Sequence, residues 1–345
     1  MDSSQTDIRI AVDAMGGDYA PQNVIAGAVE AIRDVSARFT VLLVGPETVI
    51  QNQLRNYPDI RGKVMVVDAS QVIDMNDEAV AGIKQKRDSS ISVGITMHNE
   101  GMAEAFVSAG HSGAVLSTAT LVLGRIGNIN RPTIGAFFPT NRGVCLLLDA
   151  GANVECKPQH LYEFAMMGSI YTREMFSIPR PSVGLVSIGE EESKGNDLTK
   201  GAHALLKSSN LNFIGNIEGR DILRGKADVV VCDGFIGNVL LKFGESIPAF
   251  FKSRLKQAAE KNITLKVLSV FIKQALRGVM KSMDYEEYGG VPVLGVKGVV
   301  IIGHGKSTAK AVKNMILRAE ETIRKKINER IQEEIITVQS ERKKV

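Results

Sequence analysis

The chain has 345 residues, of which 44% are hydrophobic and 23% charged, a balance typical of a folded protein and not of a disordered chain. Its formal charge of +4 favours anionic small molecules or an acidic protein as partners. Aromatic residues make up only 5% and tryptophan is absent, so nucleic-acid binding by base stacking is not expected. The three widely spaced cysteines, the polar N-terminus and the lack of an apolar run of roughly 18 residues predict a soluble cytoplasmic protein.

Short apolar runs alternate with helical patterns along the chain, as in a largely parallel sheet with helices on both faces. The predicted strands, in chain order, are Ile8–Asp13, Phe39–Gly45, Val64–Asp68, Ala105–Ser108, Ile134–Pro139, Val144–Asp149, Val183–Ile188, Phe213–Ile217, Val229–Asp233 and Val299–Ile302. The predicted long helices are Asn23–Arg33, Gln159–Arg173, Asn238–Glu260, Ile263–Met283 and Thr308–Glu334. The sequence therefore predicts a three-layer α/β/α fold.

The alternation is unbroken over residues 1–336, which predicts a single α/β/α catalytic unit. A division of this unit into two subdomains with an active-site cleft between them stays open. Residues of about 238–285 are expected to form a protruding helical pair, and the polar residues 337–345 a flexible tail.

Glycine recurs together with Asp, Asn or Ser directly after seven of the predicted strands. These turns are Asp13–Asp18, Ser108–Gly113, Asp149–Asn153, Gly189–Asn196, Glu218–Asp221, Cys232–Asn238 and Gly303–Ser307. Glycine permits positive φ angles and a close approach of a ligand to the backbone, while Asp, Asn and Ser cap the helix that follows. Because the carboxyl ends of parallel strands share one edge of the sheet, these turns predict a ligand site there.

The turn Gly303-His304-Gly305-Lys306-Ser307 resembles the end of a Walker A loop. The first glycine of that motif would fall on Val300, which excludes an ATP-binding loop. Two interpretations remain open: backbone amides that hold a phosphate, or a tight turn with Ser307 as a helix cap.

The turn Gly189–Asn196 contains three adjacent glutamates, which are better suited to a solvated loop than to chelation of one metal ion. Lys194, in contrast, is a cation on a glycine-bearing turn, suited to bind phosphate or a developing oxyanion.

Other catalytic arrangements are not indicated. Ser112 lacks the spacing of a nucleophile elbow, and Cys232 ends an apolar strand, where an inert buried thiol is usual. The five histidines show no zinc spacing, and no complete dinucleotide motif follows the first strand. We therefore expect no metal and no cofactor.

The predicted helix Ile263–Met283 separates an apolar stripe from a basic face. The basic face consists of Lys266, Lys273, Arg277 and Lys281. Packing against the core or a second subunit, contact with an acidic protein, and contact with an anionic membrane all remain open.

Taken together, the turns resemble those of the bacterial phosphate acyltransferase family of phospholipid synthesis. The resemblance is carried by Ile10–Asp18, Lys86–Ser90, Ser108–Gly110, Leu123–Ile126, Asp149–Val154, Gly189–Glu191, Lys194–Asn196, Glu218–Asp221 and Val231–Phe235. It extends from about Ile8 to Ile331. The chain departs from the family pattern at His111-Ser112, where Asn-Thr is expected, and at Lys306, where a small polar residue is usual.

The resemblance implies transfer of a long fatty-acyl group from acyl carrier protein to inorganic phosphate, giving acyl phosphate. It also implies a homodimer, a fold related to phosphotransacetylases and isocitrate-type dehydrogenases, and an enzyme that works near the inner membrane face with a membrane-bound glycerol-3-phosphate acyltransferase. The expected catalytic residues are Lys194, Asn196, Asn238, His304 and Asp233. The expected phosphate-binding residues are Ser117, Thr118, Thr120, Gly303, Gly305 and Ser307. Two other classes stay open at this point, a dehydrogenase of the same fold and a non-catalytic binding module.

Overall fold

The computed structural model describes residues 8–34, 39–60, 62–74, 76–261 and 285–342. The chain divides into two compact units. The first unit comprises Met1–Gly135, Ile170–Pro179 and Tyr288–Val345. The second comprises Ala136–Ser169 and Arg180–Glu287. The predicted basic helix at residues 263–283 lies outside the described residues.

Strands and helices alternate through most of the described chain. The strands are β1 Ile8–Asp13, β2 Phe39–Gly45, β3 Val64–Asp68, β4 Ala105–Ser108, β5 Thr133–Thr140, β6 Gly143–Leu148, β7 Ser182–Val186, β8 Asn212–Ile217, β9 Val229–Val231, β10 Val291–Leu294 and β11 Val299–Ile302. The helices are α1 Gln22–Arg33, α2 Glu47–Leu54, α3 Ala79–Gln85, α4 Ser90–Asn99, α5 Ser112–Val122, α6 Pro158–Phe176, α7 Asp197–Lys207, α8 Gly219–Arg224, α9 Gly234–Lys261, α10 Ala309–Arg324 and α11 Ile327–Arg342.

In the first unit, β3, β2, β1, β4 and β11 lie side by side and run parallel. Strand β10 pairs antiparallel with β11 and with the beginning of β5. Alternate residues of these strands enter two separate cores: Ile10 and Val12 pack with α1 and α10, and Ala11 packs with α4 and α5. Both faces of the central part of the sheet are therefore covered, which explains the continuous apolar run of β11.

In the second unit, β6, β9, β7 and β8 are consecutive parallel neighbours. Leu147 and Val230 face a core that also contains Ile222 of α8 and Leu240 of α9. On α6, Gly168 has no room for a side chain because Leu148 and Val229 lie against it. Helices thus cover both faces of this sheet as well.

The prediction of a mostly parallel α/β fold is confirmed, and most strand bounds differ from the predicted ones by two residues or fewer. Strand β10 was not predicted, because Pro292 and the flanking glycines resemble a loop. The predicted helix Thr308–Glu334 is two helices, α10 and α11, separated at Lys326, whose φ of 52° is left-handed. Helix α11 continues to Arg342, into the segment for which the sequence predicts a tail.

Within the described part of the chain, every helix is too short or too polar to span a bilayer.

Candidate active site

The turn after β1 is organised by the carboxyl group of Asp13, which is 2% exposed. Its Oδ1 accepts a hydrogen bond from the backbone N–H of Met15 (3.1 Å), and its Oδ2 accepts one from the hydroxyl of Ser108 (2.6 Å). Burial raises the pKa of Asp13, although hydrogen bonds from Ser108, Ser90 and Met15 act in the opposite direction. The carboxyl group therefore links the turns that follow two adjacent parallel strands.

The turn after β11 is attached to the same two turns. The Gly303 N–H donates to the Ser108 carbonyl (2.8 Å), and the Asp18 N–H donates to the Gly305 carbonyl (2.6 Å). Gly17 has a φ of 105°, and a side chain there would lie 2.9 Å from the Gly305 carbonyl oxygen. Glycine is required at this position because the two turns approach each other so closely.

A cavity of about 460 Å³ opens beside these turns in the first unit. It is lined by Met15, Gly17, Asp18, Val72, Ile73, Asp74, Asn76, Asp77 and Gly110. Two of the lining carboxylates are paired with Lys86, whose Nζ lies 2.5 Å from Asp77 and 3.4 Å from Asp74. The hydrogen bond from Lys86 holds the pKa of Asp77 below its usual value. The cavity is thus lined by residues of the glycine-bearing turns and by polar side chains.

Most of the hydrogen-bond donors in the predicted phosphate turn have acceptors within the protein. Ser307, which is buried, donates its hydroxyl to the His304 carbonyl (2.6 Å) and its N–H to the same oxygen (2.9 Å). The Lys306 N–H donates to Nδ1 of His304 (3.0 Å), so the proton of a neutral ring is on Nε2. Among the described residues, none accepts a hydrogen bond from the Gly305 N–H.

The three predicted phosphate-binding hydroxyls are in the middle of α5 and not at its N-terminus. The hydroxyl of Thr120 donates to the Leu116 carbonyl (2.7 Å), as is common in helices. The buried hydroxyl of Thr118 has no hydrogen-bond partner among the described residues, and Ser117 is half-buried. No hydrogen bond joins the three hydroxyls to the turn Gly303–Ser307 within the described parts of the chain.

In the second unit, the turn after β6 is organised by Asp149, which is fully buried. Its carboxylate accepts hydrogen bonds from the N–H groups of Gly151 (3.3 Å), Ala152 (3.0 Å) and Asn153 (2.6 Å). The side-chain amide of Asn153 adds a fourth at 2.8 Å. The glycine-bearing turn is therefore held in one conformation by a single side chain.

Asp233 directly precedes α9, and Asn238 lies in the second turn of this helix, next to the turn that Asp149 holds. Asp233 caps this helix, since its Oδ1 accepts from the Ile236 N–H (2.9 Å). Asn238 is exposed, and a side chain built at Gly151 would lie 3.3 Å from its Cβ. Asp233, one of the predicted catalytic residues, therefore serves as a helix cap.

Lys194 and Asn196 lie in the turn after β7, the strand next to β9. Lys194 is exposed, and no ion pair or hydrogen bond of its side chain involves a described residue. Asn196 caps α7 through Oδ1, which accepts from the Thr199 N–H (2.9 Å) and leaves Nδ2 as its outward donor. Two of the three glutamates of this turn are paired with other lysines, Glu190 with Lys226 at 2.8 Å and Glu192 with Lys207 at 2.6 Å. Lys194 is thus the cation of this turn that no carboxylate among the described residues neutralises.

Cys232, in the turn after β9, is buried and has a pKa raised well above its ordinary value by that burial. Ser112 is the first residue of α5 and is half-buried. Among the described residues, no group of three or more His, Cys, Asp or Glu side chains is arranged to hold a metal ion.

The structure places the predicted residues of each unit at the carboxyl ends of that unit's parallel strands, apart from the α5 hydroxyls. Lys266, Lys273, Arg277 and Lys281 lie outside the described residues. Sequence reasoning did not select Asp13, Ser108 or Asp149, which hold the turns together. Their signal is an Asp or Ser at the carboxyl end of an apolar strand, but that pattern alone does not reveal which groups they bind.

Comparisons with known proteins agree with the resemblance seen in the sequence. A family model described as "Fatty acid synthesis protein" matches residues 8–330. A protein named phosphate acyltransferase from Thermodesulfovibrio yellowstonii is 46% identical over 328 residues, covering 95% of this chain and 94% of its own. Another of that name, from Halothermothrix orenii, is 45% identical over 330 residues and covers 95% of this chain and 98% of its own.

Solved structures with a similar fold include two phosphotransacetylases. The enzyme from Streptococcus pyogenes has a TM-score of 0.59 at 16% identity, covering 92% of this chain and 94% of its own. The EutD phosphotransacetylase from Staphylococcus aureus has a TM-score of 0.56 at 16% identity, covering 91% and 94%. At this identity the likeness concerns the fold, whereas the sequence relatives identify the family. The chain therefore belongs to the phosphate acyltransferase family, a family of acyl-transferring enzymes.

Proposed function

We propose that this protein transfers a long-chain fatty-acyl group from acyl carrier protein to inorganic phosphate, and so supplies acyl phosphate for phospholipid synthesis. A phosphate oxygen attacks the thioester carbonyl carbon and forms a tetrahedral oxyanion. The C–S bond then breaks, the acyl group stays on phosphate, and the carrier thiolate leaves and takes up a proton. Atoms balance without an oxidant, a reductant or a covalent enzyme intermediate.

The observation that carries this proposal is the set of glycine-bearing turns at the carboxyl ends of parallel strands in a chain of this family. Such turns present backbone N–H groups to an anion, and the helices that follow add the positive ends of their dipoles. A thiol of pKa about 8.5 is a good leaving group, so the enzyme must mainly position its substrates and stabilise the oxyanion.

In this mechanism Lys194 is the donor to phosphate or to the oxyanion, because it is exposed and carries no carboxylate partner among the described residues. The Nδ2 group of Asn196 and the amide of Asn238 are further donors that orient the carbonyl group. The imidazole of His304, with its proton on Nε2, takes part in proton transfer or oxyanion binding. Asp233 maintains the start of α9, which carries Asn238.

As the binding site for inorganic phosphate we propose the predicted residues, and we rank them by whether each has a hydrogen-bond donor without an acceptor in the protein. These residues are Ser117, Thr118, Thr120, Gly303, Gly305 and Ser307. The Gly305 N–H and the Thr118 hydroxyl rank first, because neither has a hydrogen-bond partner among the described residues. Gly303 and Ser307 rank lower, since their N–H groups already have backbone acceptors.

We further propose that the protein is a homodimer and that the second copy covers α9. This helix exposes an apolar stripe at intervals of about one turn, formed by Phe235, Val239, Phe243 and Phe250. The exposed fractions are 60%, 53%, 68% and 61%. A stripe of this kind on a water-soluble helix is typical of a subunit interface.

We also propose how the protein binds its acyl donor and where in the cell it acts. Acyl carrier proteins are acidic, so the segment with Lys266, Lys273, Arg277 and Lys281 is suited to attract one, or to attract an anionic membrane surface. We place the enzyme in the cytoplasm at the inner membrane face, where its product passes to a membrane-bound glycerol-3-phosphate acyltransferase.

The test is direct incubation of purified protein with a C16 acyl carrier protein thioester and inorganic phosphate. We expect phosphate-dependent release of free carrier thiol and an equal amount of acyl phosphate, identified by mass spectrometry. Omission of phosphate is the control. Thiol release that is independent of phosphate, or no release at all, would contradict the proposed function.

A further inference from the structure

A buried hydrogen-bonded pair, Asp13 and Ser108, lies beneath the cavity of the first unit. The Ser108 hydroxyl donates to Asp13 at 2.6 Å and accepts from the Gly110 N–H at 2.9 Å. Asp13 also accepts from the Met15 N–H at 3.1 Å. The hydrogen bonds therefore run in one direction, from two backbone amides into a single carboxyl group.

The two amides held in this way belong to Met15 and Gly110, which both line the cavity. The turns around them are so closely packed that a side chain at Gly16 would lie 2.6 Å from Asp13 Oδ2, and one at Gly110 would lie 3.1 Å from it. A small displacement of the carboxyl group must therefore move the cavity wall.

The pair places a carboxyl group where burial disfavours its ionised form. Asp13 is 2% exposed, and no cationic side chain among the described residues forms an ion pair with it. Burial without a cation disfavours the ionised carboxylate and raises its pKa. An apolar pair of similar volume would cost less, but it would not fix the two amides.

We infer that Asp13 and Ser108 are positioning residues of the acyl-transfer reaction, acting through the Met15 and Gly110 amides that they hold in the cavity wall. The inference rests on the proposed function. Neither side chain contacts the substrates, and both act by keeping the turns after β1 and β4 in a productive arrangement. A misplacement of about 1 Å at a reacting centre is sufficient to lower a rate by about 100-fold.

The second unit offers a matched control pair with the same chemistry. The hydroxyl of Ser182 donates to the carboxylate of Asp228 at 2.6 Å, and the Asp228 N–H donates back to Ser182 at 3.1 Å. These residues lie at the amino ends of β7 and β9, at the edge opposite to the glycine-bearing turns. Loss of this pair removes a Ser–Asp hydrogen bond without disturbing those turns.

The experiment compares Asp13→Asn and Ser108→Ala with Asp228→Asn and Ser182→Ala in the full-length protein. Steady-state kcat and KM for phosphate are measured at a saturating acyl carrier thioester concentration, together with the melting temperature. We expect both variants of the first pair to lose about 10- to 100-fold in kcat/KM while remaining folded, and the control variants to stay within about threefold of the parent. The double variant Asp13→Asn/Ser108→Ala should have about the same kcat/KM as the less active of the two single variants, because both changes break the same chain of hydrogen bonds.

Each outcome decides the matter. If the parent makes no acyl phosphate, the proposed function fails first. With an active parent, an effect on melting temperature alone, or equal losses of activity in both pairs, overturns the positioning role. If Asp13→Asn does not fold, the kcat/KM of Ser108→Ala alone tests the inference. If neither variant folds, the pair serves stability and the inference is wrong.

Discussion

Lys194 is the residue whose removal should affect the chemistry most directly. It is exposed in the turn after β7 and has no charged partner among the described residues, whereas the neighbouring Glu190 and Glu192 are paired elsewhere. We expect Lys194→Ala to lower kcat by about 10²–10³-fold with little change in melting temperature, because one fixed donor to an oxyanion has this effect. Lys200→Ala, which removes an exposed lysine of α7, is the control. Activity of Lys194→Ala within a few-fold of the parent would remove this residue from the mechanism.

Asp13 should make the stability of the protein depend on pH in a defined direction. Its pKa is higher in the folded protein than in the unfolded chain, chiefly because of burial. The stability that this group contributes is therefore complete below the unfolded pKa and is lost as the pH rises through the folded pKa. Relative to the parent, Asp13→Asn should gain melting temperature as the pH rises above the ordinary aspartate pKa of about 4. A difference between variant and parent that stays constant with pH would contradict this.

At the scale of elements, the approach of α9 to the turn after β6 leaves no space for a side chain at Gly237. A methyl group there would overlap the Asp149 backbone carbonyl. We expect Gly237→Ala to lower the free energy of unfolding by about 1–3 kcal/mol, although alanine is the better helix former. Gly219→Ala at the start of α8 is the control, since its nearest contact would be an ordinary 3.7 Å from Leu240. Equal stability of the two variants in urea denaturation would contradict the predicted overlap.

Short apolar-rich strands followed directly by a turn were the elements that the sequence predicted best. Strands β1, β2, β3, β4 and β11 have the predicted bounds, although β3 is only partly buried. Strand β10 was missed because Pro292 is compatible with a strand only where the ladder does not need its N–H. The break at Lys326 has no glycine or proline to indicate it.

The sequence predicted which turns form the candidate site but not which hydrogen bonds join their side chains. Glycine with a capping residue after a strand is a local pattern, so the sequence contains it. The hydrogen bond between Ser108 and Asp13, in contrast, joins residues that lie 95 positions apart in the chain. Tertiary contacts of this kind leave no periodic signal.

At the scale of the whole molecule, the modest positive charge of +4 hides a strong local concentration of lysine and arginine in residues 263–283. If this segment attracts an acidic carrier protein, Lys273→Glu/Arg277→Glu should raise the KM for the acyl carrier thioester and weaken its dependence on salt. Leu268→Ser/Ile272→Ser is the companion variant, and it should weaken binding to anionic liposomes while leaving that KM unchanged. If neither pair alters KM or liposome binding, the segment serves packing alone.

The burial of Cys232 has a consequence for the course of a single turnover. An acyl thioester exchanges readily with any nearby thiolate, and Cys232 precedes Asp233 in a turn of the candidate site. Because burial raises its pKa well above the ordinary value, the side chain stays a protonated thiol at neutral pH and does not divert the acyl group. Rapid-quench measurements should show no burst of carrier release, and intact-mass analysis during turnover should find no acylated protein. An acyl adduct on Cys232 would instead reveal a two-step route through the enzyme. The burial of this sulfur thus keeps the transfer a single displacement by phosphate.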